Sequence, residues 1–84
     1  MPYSVVITRS AQKAMAQLPL NVYERMRDAL VQLGDVPRPT DCAKLRNREG
    51  WRIRVGNYRV IYEIDDTLRR ITILHIGQRR DIYR

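Results

Sequence analysis

The order of apolar and polar residues divides the chain into a first half of helical pattern and a second half of strand pattern. Residues 3–8 are rich in β-branched side chains, which predicts a first strand. Ser10 is then expected to cap a short helix. The apolar residues behind it recur at helical spacing: Ala11, Ala14, Met15 and Leu18.

A second helix is predicted after Pro19, which ends the first helix and lies near the start of the next. Its apolar residues again follow the helical repeat: Val22, Met26, Ala29, Leu30 and Leu33. Gly34 offers a position at which this helix can stop. At this spacing the methionines are interpreted as core residues of a helical hairpin rather than as a binding stripe.

Residues 35–50 have little periodicity and contain Pro37 and Pro39, so they predict a loop, with a short extended piece at Lys44-Leu45. Strict alternation follows, because Trp51, Ile53 and Val55 are separated by arginines. This pattern is typical of a half-buried strand.

Gly56-Asn57 predicts a tight turn, after which residues 58–64 return as a partner strand. Residues 70–76 are apolar on both faces, which favours a central strand that Gly77 stops. The predicted fold class is α+β, and the chain is too short for more than a single domain over residues 1–84. An N-terminal strand and a helical hairpin precede a three-stranded antiparallel meander, and the helices pack on one face of the sheet.

A two-residue turn fixes which residues face each other across the hairpin. Arg54 then faces Arg59, and Arg52 lies on the same face, whereas the opposite face is apolar: Trp51, Ile53, Val60 and Tyr62. Two like charges in direct opposition need an acidic neighbour or a bound anion. Glu63 lies on that face, so a solvated, salt-bridged surface is the alternative interpretation.

The charge of the chain favours a bound anion over a salt-bridged surface. The formal net charge is +7, and 14 of the 16 basic residues are arginines, whose planar guanidinium matches phosphate. Residues 1–45 carry a net charge of +2 and residues 46–84 carry +5. The second half is therefore expected to bind a polyanion, with RNA as the preferred interpretation.

Other classes of chemistry are disfavoured by composition. The single cysteine, Cys42, has no disulfide partner and is expected to be inert, and one histidine gives no metal-ligand spacing. No cofactor is expected. No apolar run approaches the roughly 18 residues of a membrane span, so a cytoplasmic protein is predicted.

The tail combines Arg79, Arg80 and Tyr83, and an aromatic ring beside arginines can stack on a base. A frayed basic terminus is the alternative. His75, inside the last predicted strand, can be either a hydrogen-bonded sheet residue or a proton acceptor.

Three segments together resemble the RelE/ParE toxin superfamily, and more closely its RelE branch. They are Lys44-Leu45, the run G-W-R-I-R-V-G-N-Y-R-V-I-Y from Gly50 to Tyr62, and I-G-Q-R-R-D-I-Y-R from Ile76 to Arg84. The resemblance implies an endoribonuclease that cuts mRNA, typically in the ribosomal A site and without metal, by attack of the 2′-hydroxyl on its own phosphate. It also implies a cognate antitoxin as partner, with mRNA and the ribosome as further partners.

Carried over by position, the resemblance implies five catalytic residues: Arg52, Arg54, Arg59, Arg79 and Tyr83. Basic residues near them are expected to contact RNA: Lys44, Arg46, Arg48, Arg80 and Arg84. Arg52 and Arg54 stand where the best-known members have lysines. Because arginine hardly ever deprotonates, their expected role is charge stabilisation, and the proton acceptor is open between Tyr83, His75 and a ribosomal group.

Two other functions fit the same fold. A ParE-like inhibitor of DNA gyrase would bind without nuclease chemistry, and it has no need of the five-residue set. A basic RNA-binding module or a decayed toxin is the third interpretation.

Overall fold

The computed structural model describes residues 2–78, which form two helices on a five-stranded mixed sheet. The elements in chain order are β1 (Ser4–Ile7), α1 (Arg9–Ala16), α2 (Leu20–Asp35), β2 (Ala43–Lys44), β3 (Trp51–Val55), β4 (Tyr58–Asp65) and β5 (Arg70–Gln78). The order across the sheet is β1-β5-β4-β3-β2. β1 runs parallel to β5, and the other neighbours are antiparallel. The predicted α+β class is confirmed.

The sheet has one strand more than predicted. The extended piece expected at Lys44-Leu45 is the edge strand β2, which lies one residue earlier and pairs Ala43 with Arg52. Two residues are too few to show alternation, so the pairing depends on the neighbouring strand.

The helices cover one face of the sheet, and the core lies between the two layers. Both predicted helical stripes contribute, with Met15 from α1 and Met26 from α2 among the buried residues. The sheet supplies the rest of the core: Ile53, Val55, Val60, Tyr62, Ile71, Ile73 and Ile76. The interpretation of the methionines as core residues is therefore confirmed.

The start of α1 differs from the prediction. Thr8, not Ser10, is the N-cap, and its hydroxyl accepts a hydrogen bond from the Ala11 amide at 3.3 Å. Ser10 already lies inside the helix. Both residue types are good caps, so the sequence allowed either position.

Gly34 does not stop α2, because the helix continues to Asp35 and is capped by Val36. Gly34 instead permits close approach of the chain before β1. A Cβ atom at this position would lie 2.9 Å from the carbonyl oxygen of Tyr3. The Tyr3 amide also donates a hydrogen bond to the Gly34 carbonyl at 2.6 Å.

The β3–β4 hairpin has the predicted register, with Val55 opposite Tyr58 and Arg54 opposite Arg59. The turn favours a glycine at its first position, because Gly56 has φ +60°. The φ of Asn57 is not positive. A positive φ at the first turn residue alone is the pattern of a type II′ turn, whose twist matches that of the strands.

β5 is a central strand between β1 and β4, as predicted, but Gly77 does not end it. Gly77 pairs with Arg59, and the ladder continues to Gln78. The pairing also shifts between Ile61 and Tyr62, whose partners are His75 and Ile73, so Leu74 is an extra residue on β5. This β-bulge explains why Ile73 and Ile76, three residues apart, both lie in the core.

The two candidate caps of α1 can be separated by mutation. Thr8→Ala is expected to lower the free energy of unfolding by about 1 kcal/mol, because it removes the acceptor of the Ala11 amide. Ser10→Ala, the matched control, is expected to change it by less than about 0.5 kcal/mol. Urea denaturation measures both values, and equal losses would contradict the assignment of Thr8 as the cap.

Candidate nucleic-acid interface

The sheet face opposite the helices, called here the outer face, carries the arginines of the hairpin. Arg52 is half-buried and Arg54 is exposed, and neither belongs to the core cluster. Their cross-strand neighbours continue into β4 and β5 and form two rows of three residues. The first row is Arg52, Ile61 and His75, and the second is Arg54, Arg59 and Gly77.

Arg59 has an unusual environment for a charged residue, because only 3% of its surface is exposed. It lies directly opposite Arg54, as the sequence predicted. Both arginines border a small cavity of about 110 Å³ beside the Gly56-Asn57 turn. Guanidinium groups match the geometry of phosphate, so a cavity bordered by two arginines is suited to an anion.

Glu63 does not serve as the internal partner considered for these arginines. It is exposed and forms no ion pair within residues 2–78. It pairs with Thr72 on β5 and borders a different groove, near Asp65 and Asp66. Within residues 2–78, ion pairs join Arg27 to Asp28 and Arg38 to Asp66.

A larger groove of about 530 Å³ crosses the outer face beside β2. Lys44 and the segment that follows it, residues 45–48, form one wall, and Arg52, Ile61 and His75 line the rest of the groove. The wall contains three of the residues expected to contact RNA: Lys44, Arg46 and Arg48. The tertiary structure thus joins these residues to Arg52 in one basic groove.

The remaining predicted site residues lie outside the described residues. They are Arg79 and Tyr83, expected to be catalytic, and Arg80 and Arg84, expected to contact RNA. Their predicted roles stay predictions.

A cluster that the sequence did not predict supports the edge of this interface. Asp66 accepts hydrogen bonds from Tyr3 at 2.6 Å and from Arg38 at 2.9 Å. The Arg38 guanidinium lies 5.1 Å from the centre of the Trp51 ring, and the Lys44 ammonium lies 5.9 Å from it. Cations over an aromatic face are attracted to it, so Trp51 restrains Lys44, which also borders the groove.

Asp66 and Tyr62, both in this part of the molecule, have shifted pKa values. The pKa of Asp66 is lowered, first by the Arg38 hydrogen bond and then by the Tyr3 hydrogen bond. The pKa of Tyr62 is raised, mainly by burial. The Tyr62 hydroxyl donates to the Pro37 carbonyl at 2.9 Å, which ties the loop after α2 to the sheet.

Within residues 2–78, no group of three or more His, Cys, Asp or Glu side chains is arranged to hold a metal ion. Neither helix of this part of the chain has the length and apolar character needed to cross a membrane. Cys42 is half-buried and packs against the core.

Comparison with known proteins gives the same result from sequence and from structure. Residues 5–83 match the model of the ParE toxin of type II toxin-antitoxin systems. The chain is 37% identical over 90 residues to toxin RelG of Mycobacterium tuberculosis, covering 100% of this chain and 99% of that protein. It is 39% identical over 89 residues to toxin RelE of the same organism, covering 99% and 88% of the two chains.

Among solved structures, an archaeal RelE–RelB complex from Pyrococcus horikoshii matches with a TM-score of 0.85 and 33% identity, covering 94% of this chain and 97% of that one. Isolated RelE from Escherichia coli, at 24% identity and a TM-score of 0.78, shows the fold alone; the match covers 96% of this chain and 90% of that one. The fold together with these relatives above 30% identity defines a toxin of the RelE type. The chain belongs to the ParE toxin family of type II toxin-antitoxin systems, within the RelE/ParE superfamily.

The Asp66 cluster gives a pH dependence with a definite sign. A carboxyl whose pKa is lowered by folding stabilises the fold above its ordinary pKa of 3.8, and this contribution is lost as the pH falls through the lowered value. Asp66→Asn is therefore expected to destabilise the protein at neutral pH, and the deficit should shrink in strong acid. Urea unfolding at the two pH values measures it without the screening that guanidinium causes.

Tyr3→Phe provides the matched comparison, because it removes the hydrogen bond that lowers the Asp66 pKa less and leaves the two from Arg38. Its deficit should be smaller and should depend on pH in the same direction. A deficit of Asp66→Asn that is equal at both pH values would contradict a role for the carboxylate charge.

Proposed function

We propose that this toxin is an endoribonuclease that cleaves mRNA in the ribosomal A site and thereby inhibits translation. The observation that carries the proposal is the position of Arg52, Arg54 and Arg59 on one face of the sheet, opposite the helices and beside a basic groove. The RelE and RelG toxins among its relatives support the same assignment. We also propose that the protein acts in the cytoplasm, because its proposed substrate is mRNA on the ribosome.

The proposed reaction is an attack of a ribose 2′-hydroxyl on the adjacent phosphate, which yields a cyclic phosphate and a 5′-hydroxyl. Its transition state carries additional negative charge on the phosphoryl oxygens. Arg54 and Arg59 face each other at the proposed phosphate position, and Arg52 lies in the next row. Fixed guanidinium groups at this site stabilise the developing charge without reorganising in the reaction.

The proposal assigns the remaining steps to the tail. Arg79 would neutralise the departing 5′-oxygen, and Tyr83 would stack on or orient a base. Their support is the spacing of the tail motif, since both residues lie outside the described part of the chain. No metal ion or small-molecule cofactor takes part in this scheme.

The basic groove gives the proposed path of the RNA strand. Lys44, Arg46 and Arg48 form its wall and contact phosphates on one side of the scissile bond, while Arg80 and Arg84 are proposed to contact the strand elsewhere. Phosphate contacts of this kind fix the position of the strand without reading its sequence.

An antitoxin is the protein partner of a toxin in such a pair. Similar toxins have been solved in complex with RelB, including the Pyrococcus horikoshii complex. We propose that a cognate antitoxin, encoded beside this chain, blocks the basic outer face or binds the helices.

The second candidate is a ParE-like inhibitor of DNA gyrase, which the match to the ParE family model keeps in view. A gyrase inhibitor needs no phosphate site and cleaves no RNA. The two candidates therefore differ in whether RNA is cleaved and whether the arginines of the outer face are required for that cleavage.

Expression of the chain without antitoxin is expected to arrest growth and to produce new 5′ ends within translated messages. Arg54→Ala and Arg79→Ala should each lower cleavage by roughly 10²–10³-fold and relieve the arrest, because each removes a donor to the reacting phosphate. Primer extension on translated messages measures the ends. Arg54 is preferred to the buried Arg59 because it is exposed, so its loss disturbs folding less.

Arg27→Ala is the matched control, since it removes the same charge from an exposed position on α2. It should leave cleavage and toxicity unchanged. Absence of new RNA ends in the wild type, together with accumulating gyrase–DNA breaks, would favour the second candidate.

The wall of the groove can be tested by binding alone. A 2′-O-methyl RNA lacks the attacking hydroxyl, so its affinity is measurable by fluorescence anisotropy without cleavage. The double variant Arg46→Ala/Arg48→Ala should bind more weakly. The slope of its log affinity against log salt concentration should be shallower by about 0.7 for each phosphate contact that is lost.

The double variant Arg9→Ala/Arg27→Ala removes the same charge from the helical layer and serves as control. Equal effects of the two double variants would indicate a general charge effect and would contradict a phosphate path along the groove.

A further inference from the structure

The bulge in β5 determines which way His75 faces. Without the extra residue Leu74, unbroken alternation from the Tyr62–Ile73 pair would put His75 opposite Val60, on the helix side of the sheet. The observed shift pairs His75 with Ile61 and leaves Ile76 opposite Val60 in the core. Bulges often occur next to active sites, where they redirect a side chain.

The redirected imidazole faces the basic groove. Arg52, Ile61 and His75 are successive neighbours across three strands, so the Cα atoms of Arg52 and His75 are roughly 10 Å apart, twice the strand spacing. Both residues border the groove above Ile61. His75 is exposed, and its side chain has no hydrogen-bond partner among residues 2–78, so the described chain does not support its interpretation as a hydrogen-bonded sheet residue.

The proposed reaction needs a proton acceptor, and the side chains that line the groove beside His75 do not supply one. Its described lining consists of Lys44, three arginines, Asn47, two aliphatic residues and His75. Arginine does not deprotonate in proteins, and lysine in its charged form only donates. Imidazole is the side chain that both accepts and releases protons near neutral pH.

We propose that His75 is the general base of the cleavage reaction, which rests on the proposed ribonuclease function. The imidazole nitrogen takes the proton of the 2′-hydroxyl as the bond between the 2′-oxygen and phosphorus forms. The bond between phosphorus and the 5′-oxygen breaks, and the 5′-oxygen takes a proton from solvent. The imidazolium returns its proton to solvent, so no proton is gained or lost overall.

This role explains how a site with arginines at Arg52 and Arg54 performs proton transfer. The arginines stabilise charge on the phosphate, and His75 activates the attacking hydroxyl from the end of the same row as Arg52. The two functions are thus divided between side chains on β3 and β5.

Single-turnover cleavage of mRNA on programmed ribosomes, with purified toxin in excess, tests the proposal. His75→Ala and His75→Gln should each lower the rate by roughly 10²–10⁴-fold, the usual contribution of general acid–base catalysis. Imidazole added to the solution should restore part of the rate of His75→Ala. It should not restore the rate of Arg52→Ala, which lacks a charge rather than a proton acceptor.

Gln78→Ala, an exposed position on the same strand, is the control and should retain the wild-type rate. Far-UV circular dichroism and thermal unfolding establish that the His75 variants are folded. Wild-type cleavage with undiminished rates in both His75 variants would overturn the role of His75 and leave the nuclease function intact.

A loss of rate in folded His75→Ala without rescue by imidazole would also overturn proton transfer and indicate a role in positioning. Absence of cleavage by the wild type on programmed ribosomes would overturn the proposed function itself, and the role of His75 with it.

Discussion

The pairing of β4 with both its neighbours is the constraint on which the rest of the molecule depends. Val60 and Tyr62 fill the helix-side core, while Arg59 and Ile61, on the outer face, are also buried, at 3% and 5% exposure. A slip of one residue would exchange the two faces and turn arginines toward the helices. The arginines therefore face outward because their apolar neighbours are needed in the core, and not because of any attraction among themselves.

This arrangement trades stability for a binding surface. Arg54 and Arg59 oppose each other across two strands, and like charges at facing positions are destabilising. The buried apolar residues on the other side of the same strands offset that cost. The unfavourable pair lies on the proposed binding surface. This position supports a functional role, because departures from optimal local chemistry in folded proteins concentrate at functional sites.

Contacts between distant segments complete the surface. The hydrogen bonds of Asp66 join it to Tyr3, 63 residues earlier, and to Arg38, 28 residues earlier. Arg38 and Lys44 lie over Trp51, and β2 pairs with β3. The basic wall of the groove consequently stands beside Arg52, although no local pattern in residues 35–50 indicated this position.

The sequence by itself determined the two helices, the hairpin register and the outward direction of Arg52 and Arg54, because helical spacing, strand alternation and a glycine turn act over a few residues. Only the tertiary structure decided that Thr8 caps α1, that Gly34 admits the backbone of Tyr3, and that β1 lies parallel beside β5. It also decided that the bulge at Leu74 turns His75 toward the arginines. These features depend on packing between residues far apart in the chain, where several local choices are equally good and the assembled core selects one.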